Sequence, residues 1–175
     1  MTEYLLKHEN LVLSIVREYL NENRYFMEEE IIPYIQVRLR EHSVNLTHSG
    51  IRKILESLKQ QKMILERSKL VRDEVLDNEN RDRIYCFIQD YPGIYFNQIA
   101  KNLSLSNYIL AWHLKMLMQF EFIRSKEIEN HEAFFDENLP PGNDALYFVM
   151  SLEKSRAILD FMMDHPEGVT KTKLS

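Results

Sequence analysis

The stretch YPGIYFNQIAKNLSLSNYILAWHLKMLMQFEFIRSK, Tyr91–Lys126, decides the fold. Pro92-Gly93 breaks any helix that precedes it, and Gly93 can take the positive φ of a tight turn ahead of the apolar Ile94. Ile99, Ala100 and Leu103 then mark a short helix. Leu103-Ser104-Leu105-Ser106 makes a turn, and Ser106 is placed to cap the next helix by accepting a backbone N–H from its first turn. In that helix Leu110, Leu114 and Leu117 recur at four- and three-residue spacing, which puts them on one buried stripe. Asn107, Tyr108, Ala111, Trp112 and Lys115 lie opposite. Phe122-Ile123-Arg124-Ser125-Lys126 changes to the two-residue alternation of a half-buried strand, with 127–130 as a turn and 132–135 as the return strand. The order is helix, turn, helix, hairpin.

The same pattern stands upstream. At an offset of 59 residues and without a gap, Leu46 falls on Leu105, Thr47 on Ser106, Ile51 on Leu110, Leu55 on Leu114, Leu58 on Leu117 and Ile64 on Ile123. Cap, stripe and strand entry all recur, so residues 9–70 read as a second copy of the unit. Its first helix carries Leu11, Val12, Ile15, Val16, Tyr19 and Leu20 on one face. Glu28-Glu29-Glu30 offer negative charge to the partly positive start of a second helix. That helix is expected from near Ile32 to near Glu41, because Pro33 is tolerated only in the first turn.

Downstream, Asn138-Leu-Pro-Pro-Gly142 closes the hairpin unit, and Asp144–Met150 suits a short helix. Ser151 is expected to cap a further helix through Met163, with Ile158, Leu159 and Met162 as its apolar face. From Arg156 to Pro166-Glu-Gly168-Val169 and Leu174, the chain echoes Arg83 to Pro92-Gly93-Ile94 and Ile99, as the start of a third copy would. The expected division is therefore 1–72, 73–142 and a helical segment 143–175.

Composition bounds the function. With 45% hydrophobic and 28% charged residues, 175 residues suffice for two small cores of roughly 75 residues each. Four glycines and five prolines leave little room for flexible linkers, so the class is mainly α with small β hairpins, α+β. Residues 1–75 hold 12 Lys+Arg against 12 Asp+Glu, and residues 76–175 hold 10 against 15. Neither half has the basic excess that announces a phosphate-binding surface. Cys86 is alone, which excludes an intrachain disulfide and fits a reducing cytoplasm. No apolar run of about 18 residues and no leader pattern occur, so neither export nor a membrane partner is expected.

Pro92, Gly93, Ile94, Trp112, His113, Leu114, Ile123 and Arg124 carry a resemblance over residues 75–136 to archaeal-type winged helix-turn-helix transcription regulators. The run from Val75 to Ile84 resembles the entry to the first helix of ArsR-like regulators. With the repeat, the resemblance implies tandem winged-helix domains and a partial third unit at the C-terminus. It also implies binding to double-stranded DNA, usually as a homodimer, with the third helix of each unit in the major groove and the wing near phosphates.

On that reading the first unit contributes Thr47, His48, Ser49, Arg52, Lys53 and Lys59, a mixture of base-edge readers and phosphate anchors. The second contributes Asn107, Tyr108 and Lys115, with Arg124 and Lys126 on the wing strand, where solvated strand charges opposed by Glu127, Glu129 and Glu132 are the other reading. Tyr108, Trp112 and Met116 make an aromatic and Met-rich face of the kind that marks protein contacts. The other reading of Trp112 is that it caps the core at the unit interface. His113 is expected to be packed and hydrogen-bonded, and Cys86 to be a small core residue. The six histidines and single cysteine have no metal-ligand spacing, no cofactor motif occurs, and no catalytic motif supports an enzyme. The leading function is a DNA-binding transcription regulator. The alternative is a tandem winged-helix protein-interaction module, like those in ESCRT-II subunits or chromosome-segregation scaffolds.

Overall fold

The computed structural model describes residues 2–165, with side chains from His8 onward. Eight α-helices and one three-stranded antiparallel sheet are present among the described residues, so the class is mainly α with a small β component. The chain divides into two compact units, Met1–Asn78 and Glu79–Ser175.

The first unit is built on α1 (Thr2–Glu22), α2 (Glu28–Glu41) and α3 (His48–Gln60). Each buries one stripe: Val12, Ile15, Val16 and Leu20 from α1; Ile31, Ile32, Ile35 and Leu39 from α2; Ile51, Ile54, Leu55 and Leu58 from α3. These meet around Phe26, which is fully buried, together with Ile64 and Val71. The helix α2 starts at Glu28 rather than near Ile32, which leaves Pro33 inside it. The ring of Pro33 is on the exposed side, and burial of Ile31, Ile32 and Ile35 at about 1.5–3 kcal/mol each outweighs the roughly 3 kcal/mol that an interior proline costs. Glu28, Glu29 and Glu30 then occupy the first turn, at the partly positive end of the helix. Thr47 caps α3, its Oγ1 accepting the Gly50 N–H at 3.1 Å. The strand expected at Ile64 is reduced to a single antiparallel bridge, Ile64 with Val71, across a turn in which Arg67 takes φ 61°.

The second unit runs α4 (Glu79–Asp90), β1 (Ile94–Tyr95), α5 (Phe96–Leu103), α6 (Asn107–Gln119), β2 (Ile123–Ile128), β3 (His131–Asp136), α7 (Asp144–Ser151) and α8 (Glu153–Met163). The sheet order is β1-β3-β2, all antiparallel. Three helices and such a sheet in this order make a winged helix. Gly93 takes φ 85° and donates its N–H to the Phe134 carbonyl at 2.9 Å, which ties the entry of β1 to β3. The β2–β3 hairpin closes through Glu129 and Asn130, both at positive φ (50° and 63°), the two-residue loop whose twist matches that of the strands.

Alternation along β3 separates two layers. Phe134, paired with Ile94 and Ser125, lies on one face, while Ala133 and Phe135 lie on the other. That second face is covered, because Phe148 from α7 is fully buried with Ala133 and Phe135, and Tyr95, Ile128, Leu139, Tyr147 and Leu152 pack around them. The backbone of α7 approaches so closely that a Cβ on Gly93 would lie 2.5 Å from the Phe148 nitrogen. Ser151 is the last residue of α7 and does not cap α8. Its hydroxyl sits 2.8 Å from the Phe148 carbonyl and 3.0 Å from that of Gly93, and α8 starts after Leu152 with no side-chain cap. Cys86 is exposed on α4, off the stripe of Ile84 and Ile88, rather than in the core.

Candidate nucleic-acid interface

Two helices and the strand β2 carry the sequence-derived candidates, and the outer faces of the helices differ in chemistry. On α3 the buried stripe leaves His48, Ser49, Arg52 and Lys53 exposed along the opposite side, beginning at the Thr47 cap. The ring of His48 is held by α2, with Nε2 2.9 Å from Gln36 Oε1, while the Gln36 amide donates to the Leu46 carbonyl at 3.5 Å. Arg52 donates from Nε to Glu28 Oε1 at 2.8 Å. The other oxygen of Glu28 accepts from Lys59 Nζ at 2.5 Å, and Lys59 also donates to Glu66 at 3.2 Å. The Lys59 hydrogen bond holds the Glu28 carboxyl below the usual carboxylate range against partial burial, and Arg52 adds to the effect. Burial alone would lower Lys59, but its hydrogen bonds to Glu28 and Glu66 outweigh this and raise its pKa. Lys59 is thus turned inward to two carboxylates, while the Arg52 side chain keeps 57% of its surface in solvent.

In the second unit α5 ends on Ser104 in the left-handed region (φ 55°), and Ser106 caps α6 by accepting the Ile109 N–H at 3.4 Å. This is a helix-turn-helix. The outer face of α6 is apolar for a surface that reads DNA: Tyr108 is 84% exposed and Trp112 49%, with Ile109 beside them, Lys115 exposed and Met116 half-buried. Asn107, the first residue of α6, is exposed. Arg81 from α4 lies over the Trp112 ring at 5.7 Å. His113 is packed, 5% exposed and edge-on to Trp112, but its Nδ1 has no hydrogen-bond partner, unlike the bonded histidine expected at this position. Burial, with Arg81 adding to it, lowers the His113 pKa, so its ring is neutral at neutral pH.

The wing cations meet a carboxylate that the sequence did not flag. Asp144, at the start of α7 and 1% exposed, accepts from Arg124 Nη1 at 3.0 Å, Arg124 Nη2 at 2.8 Å and Lys126 Nζ at 3.1 Å. Arg124 also donates to the Leu139 carbonyl at 2.9 Å and stacks over Phe135 at 4.7 Å. The Arg124 hydrogen bond, opposed by burial and helped by Lys126, keeps the Asp144 carboxyl below its ordinary range. Near the hairpin tip, Glu127 stands directly opposite Glu132, a like-charge pair.

The structure therefore brings His48, Ser49, Arg52 and Lys53 to one face of α3 behind the Thr47 cap, and holds Arg52, Lys59, Arg124 and Lys126 in ion pairs. Glu28, Gln36 and Asp144 are the residues that sequence reasoning missed. Glu28 stood out only as part of an acidic helix start, and nothing in the order of residues pairs it with cations 24 and 31 positions away.

No protein-family model matches the chain. It is 29% identical over 109 residues to an uncharacterised HTH-type transcriptional regulator of Methanocaldococcus jannaschii, an alignment covering 62% of this chain and 28% of that protein. The chain is similar to a helix-turn-helix regulator. It spans well under two thirds of that relative's length. Among the described residues no helix is long and apolar enough to cross a membrane, and no group of three or more His, Cys, Asp or Glu side chains is placed to hold a metal ion.

Proposed function

We propose that this chain is part of a cytoplasmic DNA-binding transcription regulator, with α3 of the first unit as its major-groove reader. The observation that carries this is the outer face of α3, where an exposed arginine, lysine, histidine and serine follow a capped helix start, opposite a fully apolar stripe. Similarity to a protein named as an HTH-type transcriptional regulator supports the same reading. In this proposal Arg52 and His48 read base edges, and Ser49, Lys53 and the helix N-terminus at Thr47 contact phosphates. The two units act as tandem winged-helix domains of an ArsR-like, archaeal-type regulator that binds duplex DNA as a homodimer. A third unit would begin at α8, and the rest of its echo, 166–174, lies outside the described residues.

The second unit takes a different part. Asn107, Tyr108 and Lys115 are its DNA-facing candidates, but Arg124 and Lys126 are held by Asp144 and the hairpin tip is acidic. Its exposed Tyr108 and Trp112, with Met116, favour a protein partner on α6. A chain that bound only protein through this face would be an interaction module instead of a regulator.

Titration against mixed-sequence duplex DNA at two salt concentrations tests the proposal. Binding that weakens steeply with salt is expected, and Arg52→Ala should weaken it more than Lys115→Ala. Absence of binding at low salt, where counterion release favours it most, would remove the regulator reading. Trp112→Ala is expected to change the size of the assembly in light scattering, and an unchanged size would take Trp112 out of any interface.

A further inference from the structure

We infer that Glu28 is a positioning residue that presents Arg52 to guanine, which gives the first unit a preference for a guanine at one position of its binding site. The inference rests on the reading of α3 as the major-groove helix. Its basis is the way the guanidinium is divided. Glu28 Oε1 takes the Nε–H at 2.8 Å, and the Nη1–Nη2 end of Arg52 has no partner among the described residues. That end carries two parallel N–H groups, the fork that matches guanine O6 and N7 in the major groove. An arginine with no neighbour samples many rotamers and attracts phosphate as readily as a base. One held by its Nε aims the remaining fork in a fixed direction.

Glu28 can serve as this anchor because it is itself fixed. Its side chain is 19% exposed, its backbone lies in the first turn of α2, and its second oxygen is held by Lys59, which Glu66 holds in turn. The four side chains form a row, Glu66–Lys59–Glu28–Arg52, in which only the last is more than half in solvent. Lys59 is accordingly a support behind the reading surface rather than a phosphate anchor. The row also compensates charge, since two carboxylates face two cations.

Selection of bound sequences from a randomised duplex library, followed by titration of the selected duplex and single-base variants, tests the inference. The wild-type protein is expected to select guanine at one position per site. Arg52→Ala should abolish that preference, about 5- to 150-fold for a bidentate arginine–guanine pair. Glu28→Gln should flatten the same position while leaving or raising affinity for mixed-sequence DNA, because it removes a negative charge. A merely electrostatic role would raise affinity equally for every base and leave the preference intact, and that result would overturn the inference. Lys59→Met, which releases Glu28 without touching Arg52, is expected to act in the same direction as Glu28→Gln, and it decides the matter if Glu28→Gln lowers the unfolding temperature substantially. A wild-type protein that binds duplex DNA without an Arg52-dependent guanine refutes this inference alone. One that binds no duplex at low salt refutes the function on which it rests.

Discussion

Replacing Asp144 by alanine should unfold the second unit at a markedly lower temperature. The carboxylate is 1% exposed and receives two hydrogen bonds from Arg124, whose side chain is 19% exposed, and one from the half-exposed Lys126. Removing one member of a buried pair costs about 3–5 kcal/mol, because the remaining charge stays desolvated. The Lys126 contact, screened by water, adds only about 0–1 kcal/mol. Arg124 retains the Leu139 carbonyl, so the lower end, about 3 kcal/mol, is expected. At about 4–8 °C per kcal/mol for a unit of this size, the midpoint falls by about 12–24 °C. Trp112 is the single tryptophan and lies in this unit, so its fluorescence follows the transition directly. The double variant Arg124→Leu, Asp144→Leu should recover most of the loss, since a buried pair and an apolar pair of similar volume are often equivalent. A midpoint shift below about 4 °C for Asp144→Ala, or a double variant worse than the single one, would refute the reasoning. The pH dependence has a defined sign. Because the folded carboxyl is held below the ordinary aspartate value of 3.8, the stabilisation is complete above about pH 4 and disappears as pH falls through the folded value.

Gly93→Ala is expected to destabilise the same unit by at least about 2 kcal/mol, since the new methyl would meet the Phe148 backbone at 2.5–2.7 Å from a residue at φ 85°. An unchanged denaturation midpoint would show that α7 does not pack there. His113 is held neutral by burial and by Arg81, so below about pH 6.5 the unfolded chain binds a proton that the folded one resists. Stability should therefore be lower at pH 5.5 than at pH 7.5 in urea unfolding, and His113→Phe should flatten the difference. Equal wild-type stability at the two values would contradict this account of His113.

Local signals were legible wherever one residue answers to its own neighbourhood. Thr47 and Ser106 were readable as caps because a hydroxyl before an apolar stripe has one obvious use, and both accept a backbone N–H in the structure. The stripes of α3 and α6, the positive φ of Gly93 and the hairpin around residues 123–136 followed from periodicity and turn chemistry in the same way. Pro33 misled, because local cost placed it in a first turn while burial of three isoleucines around it moved the helix start back to Glu28. Ser151 misled in the opposite sense, since its hydroxyl is occupied by carbonyls of Phe148 and Gly93, the latter 58 positions away. The candidate site was legible as a set of exposed residues on α3, but not as a set of charges. Whether a cation faces solvent or a carboxylate depends on Glu28 and Asp144, which reach their partners only after the helices pack.

The covering of the sheet by α7 bears on where the second unit can be cut. Its recognisable elements are complete at Asp136, and a fragment designed from the three helices and hairpin alone would stop near there. Such a fragment would strip the cover from Phe135 and Ala133, leave Arg124 and Lys126 without Asp144, and open the backbone of Gly93. The smallest piece that keeps its sheet dry runs past Leu152. Limited proteolysis should accordingly spare α7 while the unit is folded, and any cut should fall in the exposed loop 137–143 before it.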